Sequence, residues 1–329
     1  MTDIKTSVDP TFHLKITKDK EESGRYKEYR RKWYENPKNF IVEDFPIHLD
    51  LESITTCNLK CFMCFQSYDP PKLAHMDIGL FKKIIDEGAD TGLCSIKTQY
   101  RGEPLIDHRM VEMVKYAKDM GVIEVMFNTN ATQLTEEKSM ALIEAGLDKI
   151  ICSVDGCTKD IYEGVRIGAK FETVLNNIKN MQRLKEEMGS KKPIVRVQMV
   201  DTPRNHHQVD EYLKFWGEIA DHVAIEDMLD WNIEIEDNTP LEGFACAQLW
   251  QRLVVLADGD VLPCCRATRG GNEKLEVLGN AKKESIAEIW QGEKMTAFRD
   301  IHKNGESHKM RLCRLCGMRK SLVEKKNNG

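Results

Sequence analysis

Apolar residues fall along this chain in two rhythms. Between Pro46 and about Glu226, short stretches rich in β-branched and apolar residues predict strands over Ile47–Ile54, Leu93–Gln99, Val122–Phe127, Lys149–Val154, Ile194–Val200 and His222–Ile225. Longer stretches between them repeat apolar residues every three or four positions. The clearest, Phe171, Val174, Leu175, Ile178, Met181 and Leu184, lines one face of a helix, and further helices are expected over Ile78–Asp86, Arg109–Lys118, Thr135–Glu144 and Val209–Glu218. Six strand–helix units in succession imply a parallel sheet with right-handed crossovers. Six are too few for a closed eight-stranded barrel, so an open, partial barrel or a doubly wound sheet is expected.

The flanks differ. Residues 1–45 are polar, and a mixed-sign run from Lys18 to Glu35 predicts a partly ordered leader helix packed outside the main domain, which spans 46–230. Residues 231–245 are acidic and linker-like. A hairpin is expected next, Leu253–Ala257 returning through Asp258-Gly259 to Asp260–Pro263, followed by a helix over Ser285–Ile301. The tail from Lys309 carries seven basic residues against one acid, as a solvated end would.

Composition narrows the class. Of 329 residues, 41% are hydrophobic and 31% charged, enough apolar side chain to build a core rather than remain disordered. A net charge of −5 argues against a nucleic-acid binder working by bulk electrostatics. No apolar run approaches the roughly 18–20 residues of a membrane helix, and Met1–Pro10 lacks the apolar core of a signal peptide. The expectation is a cytoplasmic protein with no membrane or nucleic-acid partner. Eleven cysteines then stand out, because clustered cysteines in a reducing compartment bind metal or do redox chemistry.

The first cluster is Cys57-Asn-Leu-Lys-Cys61-Phe-Met-Cys64, C-x3-C-x2-C just beyond the first strand. Three thiolates on one loop can ligate three corners of a [4Fe–4S] cubane and leave one iron open. Zinc would need a fourth ligand, for which His75 lies outside the usual spacing. Glu103, Asn130, Asp155 and Asp201 fall at the C-terminal ends of other expected strands, the rim where parallel α/β proteins bind ligands.

With these residues the chain resembles the radical S-adenosylmethionine (SAM) superfamily, whose hallmark is this three-cysteine spacing. Tyr100-Arg-Gly-Glu103-Pro stands where the family has Gly-Gly-Glu-Pro, with Arg101 in place of the first glycine, so Gly102 and Glu103 carry the match. Asn128-Thr-Asn130-Ala131 is similar to Thr-Asn-Gly; Ser153-Val-Asp155-Gly156 and Val-Arg166-Ile-Gly continue the pattern. The resemblance implies a partial (β/α)6 TIM-like barrel and SAM contacts from Met63, Gly102, Glu103, Asn130, Ser153, Asp155 and Arg166. Met63 stands where an aromatic residue commonly meets adenine, and its thioether can still pack on a purine face.

The second cluster is Cys246-x12-Gly259-x4-Cys264 with Cys313-x2-Cys316. Four thiolates can enclose zinc or a [4Fe–4S] cluster, and composition divides these evenly. The spacing resembles the C-terminal SPASM/twitch extension of the same superfamily, here residues 231–329. That implies one fully ligated auxiliary cluster, like the abbreviated twitch form of a dehydrogenase in that family. Cys265 competes with Cys264, and the Gly-x4-Cys spacing favours Cys264. Cys94 and Cys152 are expected to be buried small hydrophobes.

The resemblance further implies reductive cleavage of SAM, with an electron donor such as flavodoxin or ferredoxin, and hydrogen abstraction from a small-molecule substrate by the 5′-deoxyadenosyl radical. Oxidation of a hydroxylated, sugar- or aminocyclitol-like substrate to a ketone suits a fully ligated second cluster. A peptide maturase is the alternative, against which the 1–45 leader looks short. A sugar epimerase is another, with Cys94, Cys157 or Cys265 as hydrogen donor. An iron–sulfur or zinc scaffold would have no use for Glu103, Asn130 and Asp155 on one rim. Gln99, Gln198, Arg204 and His206 join Arg196, Asp201 and Asp227 as strand-end candidates for substrate contact, the last three as candidate catalytic groups. Substrate identity and oligomeric state are not written in the sequence.

Overall fold

The computed structural model describes residues 5–7, 12–17, 24–228, 238–241 and 244–327. Most of the acidic stretch expected at 231–245, the start of the charged run at Lys18, and the ends of the chain lie outside the described residues. Strands β1 (Lys5–Ser7) and β2 (Phe12–Thr17) precede helix α1 (Gly24–Asn39). Then strands alternate with helices: β3 (His48–Leu51) and α2 (Ile78–Thr91), β4 (Ser95–Lys97) and α3 (Met110–Asp119), β5 (Glu124–Thr129) and α4 (Glu136–Glu144). The series continues with β6 (Lys149–Ser153), α5 (Lys159–Val165) and α6 (Phe171–Glu187), then β7 (Ile194–Asp201), α7 (Val209–Ile219) and β8 (His222–Asp227).

β3 to β8 lie side by side in sequence order, every pairing parallel. The six expected strands and five expected helices are all present, in the partial-barrel arrangement. Helix α5, only seven residues long, is too short to show a helical period. Alternation along the strands sets two faces. Leu49, Ile96, Val125, Phe127, Ile150, Cys152, Val195, Val197 and Val223 are fully buried in one apolar cluster with the helix faces. The opposite face is polar: His48 Nδ1 lies 2.5 Å from Ser95 Oγ, Lys97 Nζ lies 3.0 Å from Asp50, and Lys149 Nζ 2.6 Å from Glu124. The barrel interior is therefore a lined lumen rather than a second apolar core.

Helix α1 closes the N-terminal end of that lumen. Tyr29 Oη accepts from Ser95 Oγ at 2.9 Å, the Trp33 ring meets His48 edge-on at 5.7 Å, and Arg252 lies over Trp33 at 5.0 Å. Tyr26, Tyr29 and Trp33, spaced i, i+3, i+7, face the barrel, so the leader helix is a plug and not an outlier.

The C-terminal part adds β9 (Phe244–Cys246), β10 (Arg252–Val255), β11 (Asp260–Leu262), β12 (Thr268–Arg269), β13 (Glu273–Lys274) and β14 (Gly279–Asn280). The expected hairpin is β10–β11, with Val254 opposite Leu262 and Gly259 turning at φ +93°. It is not detached from the barrel. β10 pairs in parallel with β3, and β2 pairs antiparallel with β8, so one ten-stranded sheet runs β14-β11-β10-β3-β4-β5-β6-β7-β8-β2. Leu253, Val254 and Val255 are all fully buried, as a strand covered on both faces requires.

The single helix expected over Ser285–Ile301 is corrected to two, α8 (Ile286–Gln291) and α9 (Glu293–Lys303). Gly292, extended at ψ 162°, ends one and starts the other, and Ser285 with Glu288 makes a capping box for α8. Short α10 (Arg311–Arg314) and α11 (Gly317–Asn327) finish the chain. Among the described residues no helix is long and apolar enough to cross a membrane.

Candidate metal and cofactor centre

The loop leaving β3 brings Cys57, Cys61 and Cys64 to the C-terminal end of the sheet. Backbone bonds fix it: Lys60 N donates to Ile167 O at 2.9 Å, Phe62 N to Val165 O at 3.3 Å, and Ser67 Oγ to Cys61 O at 2.7 Å. Burial pushes all three thiols up, Cys57 to about 11. Arg166 opposes this at Cys61, its Nη1 lying 3.8 Å from the sulfur.

The segment after β4 docks on this loop. Glu103 N donates to Thr56 O at 2.8 Å and Gly102 N to Gln66 Oε1 at 3.2 Å. Gly102 has φ +72°, and a Cβ there would sit 2.4 Å from Ile54 O, so only glycine permits this approach. The Glu103 carboxylate, 2% exposed, accepts from Thr129 Oγ1 at 2.5 Å, Leu105 N at 3.1 Å and Asn130 N at 2.7 Å. Burial nevertheless leaves its pKa above the usual carboxylate value.

Asn130 reaches the cysteine loop through Nδ2, which donates to Asn58 Oδ1 at 2.9 Å. Ala131, standing where the family has glycine, holds the left-handed φ of +58°. Asp155 is fully buried and accepts from Arg166 Nε at 2.5 Å and Val200 N at 2.8 Å. It aims the guanidinium at Cys61 and is itself shielded. Ser153 and Met63 are half-buried on the same side. The structure thus gathers Cys57, Cys61, Cys64, Gly102, Glu103, Asn130, Asp155 and Arg166 into one bonded set.

The strand-end candidates divide. Asp201 and Asp227 are neighbours in register on the rim, and both Asp201 oxygens lie 2.9 Å from His206 Nδ1. Arg196 is not at a strand end. It is the third residue of β7, about 16 Å below Asp201 along the strand. There burial lowers its pKa to about 10 against the pull of Glu226 and Glu124, which leaves it protonated at neutral pH. It faces the lumen as a donor and not as a base. Arg204 lies over the Phe62 ring at 4.1 Å, so it braces the cysteine loop.

Cys246, Cys264, Cys313 and Cys316 line one cavity of about 550 Å³, counting its open mouth, together with Arg266, His302 and Arg319. Cys265 is not among the lining residues. Burial drives the four thiols up, Cys246 to about 12. Cys94 packs beside Tyr29 and Ile47, and Cys152 is fully buried in the main core, as expected of inert cysteines. Cys157 is buried as well.

The donor set fits clusters better than single ions. Among the described residues no three His, Cys, Asp or Glu side chains converge on a point that one metal ion could occupy. Zinc draws four ligands to within about 2.3 Å of one centre, whereas a cubane takes each thiolate on a different iron and keeps the sulfurs apart.

Asn58 and His302 escaped the sequence reading, and Tyr100 and Arg101 entered it only as part of the motif that carries Glu103. Arg101 was visible only as a departure from the glycine pattern, and nothing in the spacing marks His302.

Residues 51–215 match the Radical SAM superfamily, and residues 246–317 match an iron–sulfur cluster-binding domain, SPASM. The chain is 28% identical to the tungsten-containing aldehyde ferredoxin oxidoreductase cofactor-modifying protein of Pyrococcus furiosus, over 78% of this chain and 84% of that one. It is 23% identical to the S-adenosyl-L-methionine-dependent 2-deoxy-scyllo-inosamine dehydrogenase of Niallia circulans, over 82% and 91%. In fold it is similar to Streptococcus suis SuiB bound to precursor peptide SuiA, with a TM-score of 0.61 at 15% identity, covering 93% of this chain and 79% of that one. Iron–sulfur clusters and SAM are the cofactors that the two domain matches bring. The chain belongs to the radical SAM superfamily.

Proposed function

We propose that this enzyme oxidises a small hydroxylated substrate, sugar- or aminocyclitol-like, to a ketone. In this reading Cys57, Cys61 and Cys64 hold the cluster that binds SAM. Met63, Gly102, Glu103, Asn130, Ser153 and Arg166 cradle SAM, with Asp155 holding Arg166 in place. When bound, cluster and SAM supply a carbon-centred radical that takes one hydrogen atom from the substrate. Cys246, Cys264, Cys313 and Cys316 would hold the second cluster, which would supply the one-electron acceptor that completes the oxidation once a base has taken the substrate's proton. Asp201, beside His206, and Asp227 are the candidates for the base at the rim. Arg196 donates hydrogen bonds deeper in the lumen, and a flavodoxin- or ferredoxin-type protein supplies the first electron.

The observation that carries this reading is the cavity lined by all four C-terminal thiols, because a fully ligated cluster accepts electrons and offers no vacant iron to substrate. The dehydrogenase similarity over most of both chains supports it, and the Pyrococcus relative is named a cofactor-modifying protein.

The test is turnover in D2O on a panel of sugars and aminocyclitols, read by mass spectrometry. Dehydrogenation gives 5′-deoxyadenosine and a product two hydrogens lighter. A product of unchanged mass plus solvent deuterium rejects it in favour of epimerisation. Crosslinking of a precursor peptide, with no small-molecule turnover, rejects it in favour of peptide maturation.

A further inference from the structure

The second cavity is lined by a buried imidazole whose protonation is fixed by its surroundings. His302, on α9, is 2% exposed. Its Nδ1 lies 3.2 Å from the backbone N of Cys246. A backbone N–H can only donate, so Nδ1 accepts and carries no proton. The ring proton therefore sits on Nε2, which lies 3.3 Å from Cys313 Sγ. One ring spans two of the four cysteines, accepting a hydrogen bond from the backbone N–H of the first and donating one to the sulfur of the second. Phe244, edge-on at 6.4 Å, fixes the ring plane.

We propose that His302 is a positioning residue that sets the reduction potential of the auxiliary cluster through an N–H···S bond to the Cys313 thiolate. The inference rests on the reading that Cys246, Cys264, Cys313 and Cys316 hold a [4Fe–4S] cluster. The physical argument is short. One-electron reduction adds negative charge to the cluster and its sulfurs without taking up a proton. A donor aimed at a ligand sulfur stabilises the more negative state, so it raises the potential. The Arg266 and Arg319 cations on the same cavity wall act in the same direction, and His302 adds a hydrogen bond to a ligand atom. For an enzyme that must draw an electron from a substrate radical, a higher potential makes a better acceptor.

The test uses the full-length chain with Cys57, Cys61 and Cys64 replaced by alanine, so that only the auxiliary site can load. Roughly four irons per chain are expected after anaerobic reconstitution. Zinc or no iron overturns the cluster reading and this inference with it. With the cluster present, redox titration followed by electron paramagnetic resonance gives the midpoint potential. His302→Leu is expected to move it to more negative values, by up to about tenfold in the reduction equilibrium, which is 59 mV for a one-electron couple. His302→Gln, which keeps an N–H donor, is expected to recover part of the shift. An unchanged potential in His302→Leu, on a cluster that still forms, overturns the inference alone. A measurement without any change at His302 guards against failed assembly. With 15N-histidine in the protein, pulsed electron paramagnetic resonance of the reduced cluster should show coupling to an imidazole nitrogen. Absence of that coupling, with the cluster present, also overturns it.

Discussion

Gly102→Ala is the sharpest test of how the segment proposed to bind SAM is built. The added methyl meets three backbone atoms, Ile54 O at 2.4 Å, Thr56 O at 2.8 Å and Thr55 C at 2.9 Å, none of which can swing aside as a side chain would. Ordinary contact begins at 3.4 Å, so the segment must retreat by about 1 Å. Retreat breaks the bonds from Glu103 N to Thr56 O and from Gly102 N to Gln66 Oε1, at about 1 kcal/mol each. Holding alanine at φ +72° adds about 1 kcal/mol. The sum, about 3 kcal/mol, corresponds to a drop in Tm of about 4 °C for a chain of this size. Because Glu103 moves with the segment, SAM affinity should fall by at least about tenfold, since 1 Å is enough to spoil a positioned contact. Iron at the first site should stay, because no cysteine moves. Gly164→Ala is the control: Gly164 is in α5, has open space around a Cβ and should gain about 0.5–1 kcal/mol. Thermal unfolding of the apoprotein and calorimetric titration of SAM into the reconstituted protein read both effects. A Gly102→Ala protein with wild-type Tm and SAM affinity would refute the docking geometry.

Two further predictions concern buried acids. Glu103→Gln should weaken SAM binding by about ten- to a hundredfold in a titration, with iron content unchanged, because a charge-assisted bond to the SAM ammonium is worth about 1.5–3 kcal/mol. Since burial raises the Glu103 pKa and only the ionised form pairs with an ammonium, wild-type affinity should begin to fall at a higher pH than an ordinary carboxylate would dictate. Asp50→Asn should cost about 3–5 kcal/mol in urea unfolding, because it strands Lys97 and Arg252 at the inner wall. Burial opposes the Asp50 charge, but those two cations and His48 outweigh it and hold the carboxyl well below its usual range. A depressed carboxyl stabilises the fold above its unfolded pKa of about 3.9 and loses that advantage as pH falls through the folded value. The gap between wild type and Asp50→Asn should therefore be constant from pH 8 to pH 5 and narrow only in strong acid.

Alternating apolar stretches made the six parallel strands legible, because each outer face packs on a helix and its apolar residues recur at every second position. The inner face was harder to read. Asp50, Lys97 and Lys149 look solvated in sequence, and it is pairing across strands that lets them lie inside a barrel. The role of α1 was written in the spacing of Tyr26, Tyr29 and Trp33 but masked by the charges between them. The insertion of β10 beside β3 joins residues some two hundred positions apart, and no local pattern encodes that. Arg196 was misplaced by reading strand membership without depth along the strand. The cysteine sets were legible because cluster ligation demands short fixed spacings, while His302 answers only to three-dimensional proximity.

The departure from the family's glycine pair at Arg101 acquires a physical meaning in this fold. Arg101 pairs with Glu52 through Nε at 2.5 Å and Nη2 at 2.8 Å, a buried bidentate bond. The same Glu52 accepts from Ala257 N at 3.1 Å, and Arg101 Nη1 donates to Gly271 O at 2.6 Å. Its neighbour Tyr100 donates through its hydroxyl to Cys265 O at 3.1 Å and contacts Thr268 Oγ1 at 2.8 Å. Two consecutive residues of the segment proposed to bind SAM thus grip the loop that carries Cys264. Glycine at 101 would free the backbone but could make none of these bonds. With β10 stitched to β3 as well, one continuous sheet and a buried ion pair tie the two cysteine sites together. In the oxidation proposed above, electron transfer from substrate to acceptor would depend steeply on distance, and this pairing holds the two cysteine sites at a fixed one.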